Sequence, residues 1–233
     1  MAKEFLAARW TNLIIASYRV SPERLKDRVP PGLELDLRDG NAHVSLVAFQ
    51  FTHTRVKGIA WPGYSHFNEV NLRFYVRAGE RRGVVFIREY VPKRLIAWVA
   101  RTFYNEPYRI AEIEDNIVNA PEEMIARYRM FLGNHAMEVE VVANPKANFP
   151  SDESEEHFFK EHQWGYGVSR NGVLQTYEVR HPLWRTFEVR SYRIDWDWEL
   201  AYGKDWAFLQ KNEPCSVILA AGSEVSVSPL LKR

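Results

Sequence analysis

Polar and apolar positions alternate most regularly in FNEVNLRFYVR, residues 67–77. A period of two places Glu69, Asn71, Arg73 and Tyr75 on one face of a strand, and Val70, Leu72, Phe74 and Val76 on the other. The second face is purely apolar. The first is either solvated or lines a polar interior, and the four-residue step from Glu69 to Arg73 spans roughly 13 Å, too far for a direct ion pair.

The same reading along the chain predicts many strands and few helices. Trp10–Val20 is rich in β-branched and aromatic residues and reads as a strand. LELDL (33–37) is a short strand, Asp39-Gly40 a hairpin turn, and HVSLVAFQFTHTRV a principal strand. Further strands are expected in GVVFIRE, RIAEIEDNIV, IARYRMFL, MEVEVVA, GYGVS, VLQTYEV and RTFEVRSYRIDWDWELA, with a last one in SVILAAG or EVSVS. Gly133-Asn134-His135 and Arg170-Asn171-Gly172 supply turns. Helices are predicted after Ser21-Pro22, over Pro92–Tyr104, and in SDESEEHFFKEH. Hairpin spacing with short helices argues for a mostly β (α+β) fold, an antiparallel barrel- or cone-like sheet, and against a parallel α/β architecture. One domain over residues 1–233 is the expectation.

Composition narrows the function classes. The 31 basic and 30 acidic side chains nearly cancel, so nothing drives the chain electrostatically toward nucleic acid or anionic lipid. Cys215 is the only cysteine, which excludes an internal disulfide or a multi-cysteine metal site and points to a reducing compartment. No apolar run is long enough for a secretion signal or a membrane span, and a cytoplasmic protein is expected. His157 and His162 are five residues apart, on different faces of a helix, and no HExxH occurs. They read as surface histidines, so no metal is expected. Without a glycine-rich phosphate loop no cofactor is expected either. A small-molecule ligand is the expected partner, and exposed strand edges leave homo-oligomerisation open.

Charge meets core most closely between Gly83 and Arg109. Here a strand ends in Arg88-Glu89, followed by Pro92-Lys93-Arg94 and later by Asn105-Glu106-Pro107-Tyr108-Arg109. Ionisable groups set into an apolar wall shift their pKa values. The loop GIAWPGYS (58–65), with Trp61 as its ligand contact, is a candidate lid over a cavity mouth.

RWTNLIIASYRVSPERLKDRVPPGLELD, HFNEVNLRFYV and ARTFYNEPYR together resemble the YqjF-like family of the acetoacetate decarboxylase-like superfamily, most strongly from Trp10 to Arg109, with HPLW (181–184) a later match. The resemblance implies antiparallel strands wrapped into a cone or barrel around a central cavity. Phe67-Asn68-Glu69 is similar to the cavity glutamate motif of acetoacetate decarboxylase, and Arg88-Glu89 to its strand-end Arg-Glu. In that enzyme one of two adjacent lysines forms a Schiff base and the other lowers its pKa. Two alignments are open. One makes Lys93 the amine with Arg94 as the neighbouring charge. The other, which accounts for the intervening helix, matches the motif to Glu106–Arg109 and leaves no lysine in the Schiff-base position.

These readings lead to metal-independent acid-base chemistry on a small carbonyl or carboxylate metabolite. Glu69 would transfer the proton, Tyr108 could donate one, and Arg73, Arg88 or Arg109 would hold an anionic oxygen. Two alternatives stand beside it: a non-catalytic protein that binds a ligand in the same cavity, and Schiff-base lyase chemistry on Lys93.

Overall fold

The computed structural model describes residues 4–96, 107–160 and 162–232. Its strands make one 14-stranded sheet. Neighbouring strands β1 (Leu6–Val20), β3 (Ala42–Val56), β4 (Phe67–Ala78) and β5 (Arg81–Val91) are followed across the sheet by β10 (Trp164–Val168), β11 (Leu174–Arg180) and β13 (Ser216–Val227). β11 returns to β13 through Val179↔Val227 and Arg180↔Ser226, which closes these strands into a ring. From β13 an arm extends through β12 (Thr186–Asp195), β9 (His135–Asn148), β8 (Met124–Leu132) and β7 (Glu112–Asn119). Short strands β2 (Glu34–Leu35) and β6 (Tyr108–Ile110) join β4 and β5, and β14 (Leu231–Lys232) joins β11.

Two cores follow from the alternation of side chains. The outer one unites Ile14, Leu46, Val70, Leu72 and Phe74 of the ring with Met124, Tyr128, Val139 and Val141 of the arm, so the arm covers the outside of the ring. The inner one collects Leu13, Ile15, Val47, Phe49, Phe67, Tyr75 and Ile218 with Phe158, Phe159 and Trp184. Bending the sheet this far uses bulges. Register shifts interrupt the β1–β3 ladder between Ala7 and Arg9 and again between Thr11 and Ile14, where Asn12 has a φ of 55°, and the β4–β5 ladder between Leu72 and Arg73. Gly222, opposite Thr11, has φ +77°, and a Cβ there would sit 2.0 Å from the Trp10 carbonyl oxygen. Only glycine allows so close an approach of β1 and β13.

The mostly β reading holds, with differences of detail. Pairings of β5 with β10 and with β6 are parallel, so the sheet is mixed. The segment after Ser21 forms two 3-10 turns, Pro22–Arg24 and Lys26–Arg28, and the Ser21 side chain makes no capping bond. Leu25 alone is fully buried there, too little to hold an amphipathic helix before Pro30-Pro31. SDESEEHFFKEH yields helix α1 (Glu155–Lys160). The end of the β12 segment departs from a strand: Asp197 accepts from the Leu200 amide at 2.9 Å and starts helix α2 (Trp198–Tyr202). Residues 94–96 form a helical turn, and the remainder of the Pro92–Tyr104 segment, from residue 97, lies outside the described residues.

Candidate active site

Residues paired across a ladder project to the same face, so the register of β3, β4, β5 and β6 locates the inward side chains. Phe49 pairs with Glu69, Asn71 with Glu89, and Glu89 with Tyr108. Glu69, Asn71 and Glu89 are only 3%, 2% and 2% exposed, which establishes that the polar face of β4 lines the ring and is not solvated. Its opposite face, Val70 to Val76, lies in the outer core.

Glu69 accepts two hydrogen bonds. Asn71 Nδ2 donates to Oε1 and the Tyr108 hydroxyl to Oε2, each at 2.9 Å. Burial pushes the Glu69 pKa up to about 7, against the two hydrogen bonds and the positive charge of Arg73, all of which favour the carboxylate. Tyr108 moves well above the usual phenol range, first through burial of its hydroxyl and then through the charges of Glu69 and Glu89. The phenol therefore remains a donor at neutral pH while the carboxylate beside it is poised to gain or lose a proton. Such a pair can relay a proton between a ligand and a buried base.

Further along the same face lies a second polar group. Arg73 Nη2 donates to the Phe159 carbonyl at 3.2 Å, and its guanidinium sits 5.8 Å from the Tyr75 ring centroid. Against that ring, with centroids 4.6 Å apart, packs His162. His162 Nε2 meets Asp36 Oδ2 at 2.9 Å, and Arg82 Nε donates to the same oxygen at 2.6 Å. The Asp36 pKa falls below its usual value, since these two partners outweigh the opposing effect of burial. His162 falls to about 4, through burial first, with Arg82 and Arg73 adding to the fall and Asp36 opposing it. His162 is thus a core residue, contrary to its reading as a surface histidine. Tyr75 also bonds Ser45 Oγ at 2.6 Å, which in turn bonds Ser17 Oγ at 2.7 Å.

The structure brings Glu69, Tyr108 and Arg73 to one inner face and places Arg88, Arg109 and Trp61 away from it. Arg88 pairs with Leu72 and points outward, where Nη1 donates to the Ala201 carbonyl. Arg88 and Glu89 are consecutive on a strand, so they leave it on opposite sides. Arg109 is exposed and pairs with Tyr90 on the face away from Tyr108. Trp61 is 50% exposed on the loop between β3 and β4. Lys93 is half-buried, two residues beyond the inner-core residue Val91. Two surface depressions, of about 530 and 110 Å³, lie elsewhere: one beside Pro22–Leu37, the other between β7 and β8. Neither touches Glu69. The register and burial of β4, rather than a surface hollow, make it the candidate site, because the buried ionisable groups are there. Asp36 and His162 escaped sequence reasoning; they are 126 residues apart, and only the fold joins them.

A ring of mostly antiparallel strands with an arm packed outside it is the acetoacetate decarboxylase-like fold. The chain is similar to an acetoacetate decarboxylase-like enzyme from Sphingomonas wittichii RW1 (TM-score 0.67, 14% identity, 98% of this chain and 94% of that one). It is equally similar to the enduracididine biosynthesis enzyme MppR complexed with pyruvate (0.67, 13%, 100% and 91%). Acetoacetate decarboxylase from Legionella pneumophila is another neighbour (0.65, 12%, 97% and 86%). Within this fold the chain belongs to the DUF2071 family, "Uncharacterized conserved protein (COG2071)", whose model matches residues 7–224. It is 34% identical over 106 residues to the "Uncharacterized protein YqjF" of Bacillus subtilis (strain 168). That alignment spans 45% of this chain and 44% of the relative, less than half of either. No helix among the described residues is long and apolar enough to cross a membrane.

Proposed function

We propose that the ring interior binds a small carbonyl or carboxylate metabolite and that Glu69 exchanges a proton with it, assisted by Tyr108, without a metal. The observation that carries this reading is a carboxyl group 3% exposed inside the ring, shifted to about 7 and hydrogen-bonded to a phenol. A base with a pKa near the working pH combines adequate ionisation with adequate basicity. Arg73, on the same face, is the cation available to the ligand's anionic oxygen. Pyruvate is the first compound to test, because the similar MppR is described in complex with it.

The test is proton exchange at C3 of pyruvate and other 2-oxo acids in deuterated water, followed by NMR. Wild-type protein is expected to accelerate the exchange, and Glu69→Gln to lower the rate by roughly 10²–10⁴-fold. Exchange unaffected by the substitution would remove Glu69 from the role. Binding of the acid without any exchange would leave a ligand-binding protein. A second reading keeps imine chemistry on Lys93, since Lys93 is half-buried two residues past Val91, the inner-core residue at which β5 ends. Borohydride trapping with pyruvate decides it: a mass increment located on Lys93 supports the imine, and an unmodified Lys93 eliminates it.

A further inference from the structure

His53 and His66 meet where the chain leaves β3 and enters β4. Both are exposed, and their imidazole centroids are 5.3 Å apart with the planes at 64°. The backbone arranges this meeting. Phe51 pairs with Phe67, but the next bond runs from the Thr54 amide to the Ser65 carbonyl at 3.1 Å, so β3 carries one residue more than β4 between the two. The extra residue makes a bulge at His53, whose φ of 53° lies in the left-handed region that few non-glycine residues adopt. Bulges re-aim side chains, and this one sets His53 against His66. Their spacing is that of a chelate. Zinc takes an imidazole nitrogen at about 2.0–2.1 Å, hence roughly 3.2 Å from the imidazole centre, and two imidazoles on one tetrahedral ion have centres roughly 5.2 Å apart. Aromatic packing alone allows about 4.5–7 Å. The observed 5.3 Å falls at the value that a shared ion requires.

We propose that His53 and His66 form a two-histidine surface site for a divalent transition-metal ion, zinc by its tetrahedral geometry, which ties β3 to β4 at the base of the loop that carries Trp61. Each neutral imidazole gives one nitrogen lone pair. Among the described residues no third histidine, cysteine or carboxylate joins them, so the remaining coordination positions belong to water. Arg55 and Lys57 are exposed on the same stretch of chain and oppose the charge of a cation. Affinity therefore comes from the nitrogen ligands and not from the local field, which selects a borderline-soft ion over magnesium or calcium. The site is separate from Glu69: Phe67 packs into the inner core, while His66 beside it is exposed.

Calorimetric titration of the full, untagged chain with zinc chloride tests it. One ion per chain is expected to bind, and magnesium chloride is expected neither to bind nor to displace it. His53→Asn, which suits the left-handed backbone, and His66→Gln should each weaken zinc binding by at least about tenfold. His135→Gln, exposed at the start of β9, should leave it unchanged. Zinc should also raise the melting temperature of the wild type and not that of the two site variants. Should a variant fail to fold, proton NMR of the wild type gives the same answer: the imidazole resonances of His53 and His66 move together as zinc is added, and those of His135 and His181 stay put. No binding of zinc at millimolar concentration, binding unchanged in either site variant, an equal loss in His135→Gln, or displacement by magnesium each overturn the site.

Discussion

The two faces of β4 are both buried and are made of opposite materials. Outward, Val70, Leu72, Phe74 and Val76 are each at most 1% exposed and interlock with the arm. Inward, Glu69, Asn71, Arg73 and Tyr75 meet Tyr108, Phe159, Ser45 and His162. Apolar burial on the first face stabilises the ring by roughly 1.5–3 kcal/mol for each large side chain. Burial on the second works against stability wherever a charge is held without full compensation, and Glu69 answers by raising its pKa. A strand that contributes its stability on one side can hold a strained ionisation on the other. This division places the apolar packing in one half of the pleat and the buried ionisable groups in the other.

Breaking the outer face should have the largest effect. Leu72→Ala removes a fully buried side chain, and urea unfolding should show a loss of about 2–5 kcal/mol. The inner face should respond in the opposite sense. Glu69 has a folded pKa raised to about 7 from an ordinary 4.5, so the folded state holds its proton more tightly than the unfolded chain. Its stabilising contribution is fully present below 4.5 and is lost as pH rises through 7. Glu69→Gln has no such ionisation and should be more stable than wild type by roughly 1–3 kcal/mol at pH 8–9, with the difference vanishing near pH 4. A Gln variant less stable than wild type at high pH would mean that the carboxylate is better accommodated than its burial implies.

Tyr108→Phe sharpens the contrast at a single bond. Removing a hydroxyl that donates to Glu69 Oε2 at 2.9 Å should raise the carboxyl pKa further, by about one unit, while stability at pH 5 changes by less than about 1.5 kcal/mol. Carboxyl titration by NMR reads the shift. Arg109→Ala should produce the smallest effect. Its exposed side chain lies on the face away from Tyr108, so stability should stay within about 0.5 kcal/mol and the Glu69 titration should not move.

Much of this arrangement was legible because it is local. The period of two in FNEVNLRFYVR separates the faces of β4, and Asp39-Gly40, with φ values of 50° and 75°, forms the expected turn. The choice between a solvated and an interior polar face was not legible, since it depends on the β11–β13 pairing that closes the ring. Arg88 and Glu89 looked like a pair only because they are adjacent; alternation, applied to them as it was to β4, sends them apart. His162 looked exposed because a five-residue spacing from His157 carries no information about Asp36, just past β2, and Tyr75 of β4, which reach it from far earlier in the chain. Where contacts are long-range, local pattern fixes which residues share a face and leaves open what that face meets.

The most direct test of the account is the titration of the Glu69 carboxyl by carbon-13 NMR, assigned by comparison with Glu69→Gln. A midpoint close to 7 is the expected result, and it would establish a buried base poised for proton exchange inside the ring. A midpoint in the ordinary carboxylate range, near 4.5, would contradict the account and leave Glu69 a structural anion held by Asn71, Tyr108 and Arg73.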